Sequence, residues 1–413
     1  MKFQKIIFSL AGLCIFSISS SFAAQLAFDG QTRLRYEYLG NNSALTDERA
    51  SYFRFRFSGG VKADFSGFAS LYGKLTTESR SYIYNSGRDA VYNADEAVID
   101  NFFIFLPDIK GFEIKAGRFD LNPQEYGEGF LFADGTPLDG SRTSYFNALR
   151  LRYNNIEFLG IYNTKQDELP VINNRDKLLN SSTETAAVIY ARFKKEGDDY
   201  GKISEISFEP YYIYKEEADI ADINTLGTYF KYAFNKFALR AQAAFQTGKY
   251  GGKTKNAFGG YIFGDLPIAD FIKSLSFGYI YLSGADENGG ASWNPLFSRY
   301  PWQSEIMATL YGAESGAGYW TNLQLLKASA AFAPFNKTAI EASYNYLLAN
   351  NTVSGDIFGS GKERGHLAVC RISYAFSKEI KTYIHGEYFI PGNFYKENAK
   401  NASFLRLEIS AKI

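Results

Sequence analysis

The chain has 413 residues, with 44 basic and 44 acidic side chains, 46% hydrophobic residues, 17% aromatic residues and only two cysteines and two histidines. The neutral balance excludes the basic footprint of a nucleic-acid binder. His366, His385 and the one cysteine beyond the N-terminal segment, Cys370, are too few for a metal set or an internal disulfide, so no cofactor is expected.

Residues 1–23 read as a secretory signal. Lys2 and Lys5 form its charged region, residues 6–18 its apolar run, and the small residues Ser21 and Ala23 set the cut after Ala23. The run is too short for a membrane-spanning helix. Residues 24–413 then continue without a linker or a composition shift, as a single domain.

From there the chain alternates apolar and polar residues, the period of a half-buried strand. In the first strand, about 28–38, Phe28, Leu34, Tyr36 and Tyr38 oppose Asp29, Gln31, Arg33, Arg35 and Glu37. In the second, Phe53, Phe55 and Phe57 oppose Arg54, Arg56 and Ser58. The split recurs at Leu149, Leu151 and Tyr153 against Arg150 and Arg152, and at Phe237, Leu239, Ala241 and Phe245 against Arg240, Gln242 and Gln246. The last strand sets Leu405, Leu407, Ile409, Ala411 and Ile413 against Arg406, Glu408, Ser410 and Lys412. In a membrane barrel the aromatic face meets lipid and the charged face lines the lumen.

The connections sort by length. Turn-like segments fall at 64–67, 107–111, 154–155, 195–202, 235–236, 265–270, 334–337 and 377–378. Between them lie longer ones at 39–50, 80–93, 120–143, 165–182, 283–319, 349–362 and 391–401, with two modest outer loops near 215–222 and 248–255. This predicts an all-β fold, a transmembrane antiparallel β-barrel of about 18 strands with short periplasmic turns and longer extracellular loops. Its place is the bacterial outer membrane, in contact with outer-membrane lipid. The barrel assembly machinery is a further expected partner, because it reads an apolar last strand.

The inward positions carry Arg33, Arg35, Arg54, Arg56, Lys74, Lys115, Arg150, Arg152, Arg240, Arg371 and Arg406, with Asp29, Glu37, Asp100, Glu113, Glu157, Glu387 and Glu408 among them. Either these pair and hold a wet lumen in shape, or the arginines form a basic track for an anion. The cluster Arg33, Arg35, Arg54 and Arg56 on two adjacent strands favours the track. Two long connections stand apart. Residues 121–145 are Gly-rich, and residues 288–322 hold all three tryptophans, Trp293, Trp302 and Trp320. Both are expected to fold into the barrel mouth and narrow it.

Those two segments also carry a resemblance. The GRFDL…DGTPLDGSRTSYFNALRLRY run and the WNPLFSRYPW…GYWTNLQLLKASAAFAP run resemble the alginate export family of outer-membrane barrels. The resemblance spans roughly 28–413 and implies a monomeric eighteen-stranded barrel with a constricted, positive pore for an acidic polysaccharide. By position it implies pore residues at Arg118 and Arg142, in the Gly-Arg and Ser-Arg motifs, at Arg150 and Arg152 on the next strand, and at Arg299 in the Pro-Leu-Phe run. The expected function is a channel for anionic solutes, an acidic polysaccharide such as alginate or its oligomers. The alternative is a general or sugar-specific porin for small solutes. A hydrolase is disfavoured because no nucleophile motif accompanies His385, and an adhesin because the loops do not dominate the chain.

Overall fold

The strand alternation closes into one antiparallel sheet in a computed structural model, which describes residues 24–42, 45–85, 92–93, 97–133, 145–165, 182–197, 203–235, 237–268, 271–285, 290–298, 301–315 and 320–413. The signal-like segment and the expected pore residues Arg142 and Arg299 lie outside the described residues. Eighteen strands make the wall: β1 (Gln25–Gly40), β2 (Arg49–Phe65), β3 (Ala69–Asn85), β4 (Ala97–Ile109), β5 (Phe112–Asp120), β6 (Tyr145–Tyr153), β7 (Ile156–Asn163), β8 (Glu184–Ala191 and Phe193–Glu196, interrupted at Arg192), β9 (Ile203–Glu217), β10 (Ala221–Phe234), β11 (Phe237–Tyr250), β12 (Lys253–Pro267), β13 (Ile272–Leu282), β14 (Leu323–Phe332), β15 (Thr338–Leu348), β16 (Glu363–Ala375), β17 (Ile380–Pro391) and β18 (Ala402–Lys412). Each pairs with its sequence neighbours, and β1 pairs with β18 to close the barrel. Closure leaves no open edge, which a lipid environment requires of a sheet.

The period-two expectation holds on both faces. Phe53, Phe55 and Phe57 are exposed on the outer surface, whereas Arg54 between them is buried inside. The outer belt continues through Leu34, Phe158, Phe208, Phe245, Phe277, Tyr344 and Ile409. Among the described residues no helix is long and apolar enough to cross a membrane.

Two outer connections differ from expectation. Residues 218–220 and 251–252 are tight turns, with Asp219, Gly251 and Gly252 at positive φ. Paired left-handed residues match the twist of a two-residue hairpin. The polar stretches around them, such as Glu216, Glu217 and Asp222, are strand ends rather than loop.

The buried apolar cluster of the described residues lies inside the barrel. It is built by the described parts of the connections 121–144 and 283–322 against inward strand residues such as Tyr190, Tyr211 and Tyr261. Helix α1 (Glu305–Ser315) belongs to the second of these.

Candidate functional site

The first loop enters the lumen through a single turn of 3-10 helix, Pro123–Glu125, whose start is capped by the Asn122 side chain accepting from the Gln124 amide. Tyr126, Phe130, Leu131 and Phe132 follow, all at most 2% exposed. The second loop brings Trp293, Leu296 and Phe297, equally buried. The two meet as a short parallel bridge: Ala133 donates to the Phe297 carbonyl and Phe297 to the Leu131 carbonyl, each at 3.0 Å. Phe130 stacks on Trp293 with centroids 5.2 Å apart, and Ser298 Oγ donates to the Gly129 carbonyl at 2.5 Å. An aromatic plug therefore narrows the lumen from the outer side, as the loop composition predicts.

The 283–322 loop is fastened to the wall along its length. Gln246 exchanges two hydrogen bonds with the Asn294 backbone, at 2.7 and 3.0 Å. Lys215, buried beside Glu184, donates to the Leu296 carbonyl at 3.2 Å, and Lys255 donates to the Ser292 carbonyl. Glu387 on β17 caps α1 by accepting from the amides of Glu305 (2.8 Å) and Ile306 (3.1 Å) and from Ser304 Oγ. A carboxylate at a helix N-terminus satisfies free N–H groups and favours the helix dipole. The far end of α1 is held by Arg364, which pairs with Glu314 at 2.8 Å and donates to Tyr395 Oη at 3.1 Å. Burial beside Glu314 pushes the Tyr395 phenol well above its ordinary range, and burial raises that of Tyr311 on α1 as well.

Most of the expected site residues form two paired walls. Arg33, Arg54 and Arg56 converge on Glu78 at 2.8, 2.5 and 3.1 Å. Arg35 reaches Glu408 at 2.5 Å, and Arg406 joins Glu37 at 2.6 Å and Glu305 of the loop at 2.5 Å. On β5 to β7, Arg150 pairs with Glu113 at 2.7 Å, and Arg152 with Glu157 and with Glu125 of the first loop at 2.8 and 3.1 Å. Lys115 lies over the rings of Phe103 and Phe119, at 4.0 and 4.5 Å. Arg240 bridges Asp265 on β12 and Glu128 of the first loop, at 2.8 and 2.5 Å.

Arg118 is placed apart from these pairs. An odd step separates it from Lys115, so a period-two strand turns the two to opposite sides. It is 2% exposed, donates to Asn147 Oδ1 (3.0 Å) and the Ile99 carbonyl (2.8 Å), and stacks over the Tyr145 ring at 3.8 Å.

The open part of the lumen lies elsewhere. A cavity of about 520 Å³ sits under the loop segment Pro301–Glu305, against strands β13 to β18. Its wall carries Lys327, Arg371 and Glu341 with Ser276, Ser329 and Ser343. Arg371 lies over the Tyr383 ring at 3.9 Å, and Lys327 donates to Gln303 Oε1 at 2.9 Å. Among the described residues neither cation forms an ion pair, which sets them apart from the two arginine walls. Sequence reasoning reached Arg371 but missed Lys327, Glu341 and the serines. Their outward neighbours include Leu326, Ala328, Ala330, Ile340, Ala342 and Tyr344, so alternation marks them as inward but does not single them out from the other inward residues.

No family model and no curated protein matches the chain. Solved structures do. Pseudomonas aeruginosa OccK11 (OpdR) matches with a TM-score of 0.58 at 11% identity, covering 94% of this chain and 96% of that one. OccK2 (OpdF) from the same organism, solved in complex with glucuronate, matches with a TM-score of 0.59 at 11% identity, covering 95% and 99%. OpdK, solved with vanillate, matches with a TM-score of 0.56 at 11% identity, covering 94% and 98%. The chain thus has the fold of these eighteen-stranded outer-membrane barrels, and its exposed aromatic and aliphatic outer belt suits a lipid-facing wall.

Proposed function

We propose that this barrel is a monomeric channel for small acidic or hydroxylated solutes, which pass the aromatic plug and then the cavity under residues 301–305. Residues 1–23 act as its secretion signal, and the barrel itself has no enzymatic role. The observation that carries the reading is the pair of cations, Arg371 and Lys327, which among the described residues form no ion pair and stand with Glu341 and a row of serines in a cavity of about 520 Å³. Unpaired guanidinium and ammonium groups at a wet wall attract carboxylates, and a cavity of this size suits a single small molecule. The glucuronate and vanillate bound to two porins of the same fold support this chemistry.

An acidic polysaccharide such as alginate is the less supported substrate. Its chain would have to thread the gap left by two loops that are bonded to each other and to the wall. Solute flux into proteoliposomes tests the choice. Glucuronate should enter faster than a neutral sugar of equal size, and alginate oligomers should lag far behind both. Equal entry of oligomer and monomer would overturn the small-solute reading.

A further inference from the structure

Glu341 has no place in a cavity meant only for anions. It lies on β15 directly opposite Arg371 on β16, and the two are Cα partners in the sheet register. Opposite charges in that position usually pair. Here they do not: the Arg371 guanidinium lies on the Tyr383 ring instead, and both side chains face the lumen. The other carboxylates of the cavity are engaged. Glu305 is held by Arg406, and Glu387 by His385 and the start of α1. Among the described lining residues, Glu341 is therefore the carboxylate that forms no ion pair, and it stands in the same cavity as Arg371 and Lys327, close enough to Lys327 to act on its charge.

Resting on the channel reading above, we infer that the cavity selects solutes that carry an ammonium group together with a carboxylate, with Glu341 taking the ammonium and Arg371 and Lys327 the carboxylate. The spacing narrows the class. Directly opposed positions on antiparallel strands have Cα atoms about 4.5–5.5 Å apart. The two solute charges must then sit close together, as on the α-carbon of an amino acid and unlike the ends of a long chain. Ser276, Ser329 and Ser343 add hydroxyls suited to a short polar side chain. A simple carboxylate meets the same two cations but is repelled by Glu341.

Efflux of radiolabelled serine and glycerate from proteoliposomes tests this, because the two solutes are alike in size and differ in the ammonium group. Wild-type barrel should favour serine over glycerate. Glu341→Gln should lower the serine-to-glycerate ratio by about two- to fivefold, the range a single exposed ion pair supports, and Glu341→Asp should restore most of it. The shift on boiling in gel electrophoresis verifies that each variant is a folded barrel. A ratio unchanged in folded Glu341→Gln, with Arg371→Gln still slowing both solutes, would overturn the ammonium role and leave the channel reading standing. Rates unchanged in Glu341→Gln and Arg371→Gln alike would overturn both, because the route would then bypass the cavity.

Discussion

The rings of Phe132 and Phe297 stack with centroids 5.5 Å apart at an interplanar angle of 16°, and the two backbones pair at the same point. Two loops from opposite halves of the chain thereby close on each other within the lumen. Truncating a buried phenylalanine removes about 3–5 kcal/mol of packing. Replacing both with alanine should open the plug and raise single-channel conductance, while the barrel still shifts on boiling. Unchanged conductance would show that the stack does not set the width of the pore.

Arg364 and Glu314 form the buried tie at the far end of α1, at 2.8 Å. Removing one partner of such a pair leaves a desolvated charge, at a cost of about 3–5 kcal/mol. Arg364→Ala should therefore release the 305–315 segment to protease on the barrel's outer side, where the wild type resists. Equal resistance would mean the helix is held by Glu387 and the plug alone.

The raised phenols at that tie give a pH dependence with a definite sign. Tyr311 and Tyr395 have folded-state values above the ordinary one. Their neutral forms therefore favour the docked helix. This contribution is complete below the unfolded phenol value of about 10 and is lost as pH rises through the higher folded values. Trp320 packs on Tyr311 with centroids 5.5 Å apart, so tryptophan emission reports the docking. Emission should stay constant from about pH 6 to about 9 and change only at strongly alkaline pH, above the ordinary phenol range; a transition near neutrality would contradict the assignment.

The paired walls and the unpaired cations should respond differently to neutralisation. Arg150→Gln with Arg152→Gln breaks contacts to Glu113, Glu125 and Glu157. It should lower the thermal stability of the barrel and leave ion selectivity nearly as it was. Lys327→Gln with Arg371→Gln should do the reverse, reducing the anion-to-cation permeability ratio at unchanged stability. The opposite pattern in a planar bilayer would return the solute path to the arginine walls.

The barrel was legible in the sequence because a lipid-facing strand must alternate, and rows such as Phe53, Phe55 and Phe57 against Arg54 and Arg56 make the period plain. The plug was legible because three tryptophans are out of place in a free outer loop. Three things were not. Alternation shows that Arg33, Arg54 and Arg56 face inward, but their convergence on Glu78 follows from sheet register and side-chain reach, which composition does not encode. The cavity wall was missed for a different reason: β15 alternates Ile340, Ala342 and Tyr344 against Glu341, Ser343 and Asn345, but alternation marks a side chain as inward without telling which inward charges lack an ion pair. The reading of 215–222 as loop went astray because charged strand ends above the membrane resemble a connection.

The central claim is that solutes pass along the wall that carries Ser343. Ser343→Cys offers the most direct test, because Cys370 faces outward and lies away from that path. A charged methanethiosulfonate added to an open channel in a planar bilayer should react with the introduced thiol and reduce the variant's current, while wild type keeps its conductance. Full current through a channel shown by mass spectrometry to be labelled at that position would contradict the account.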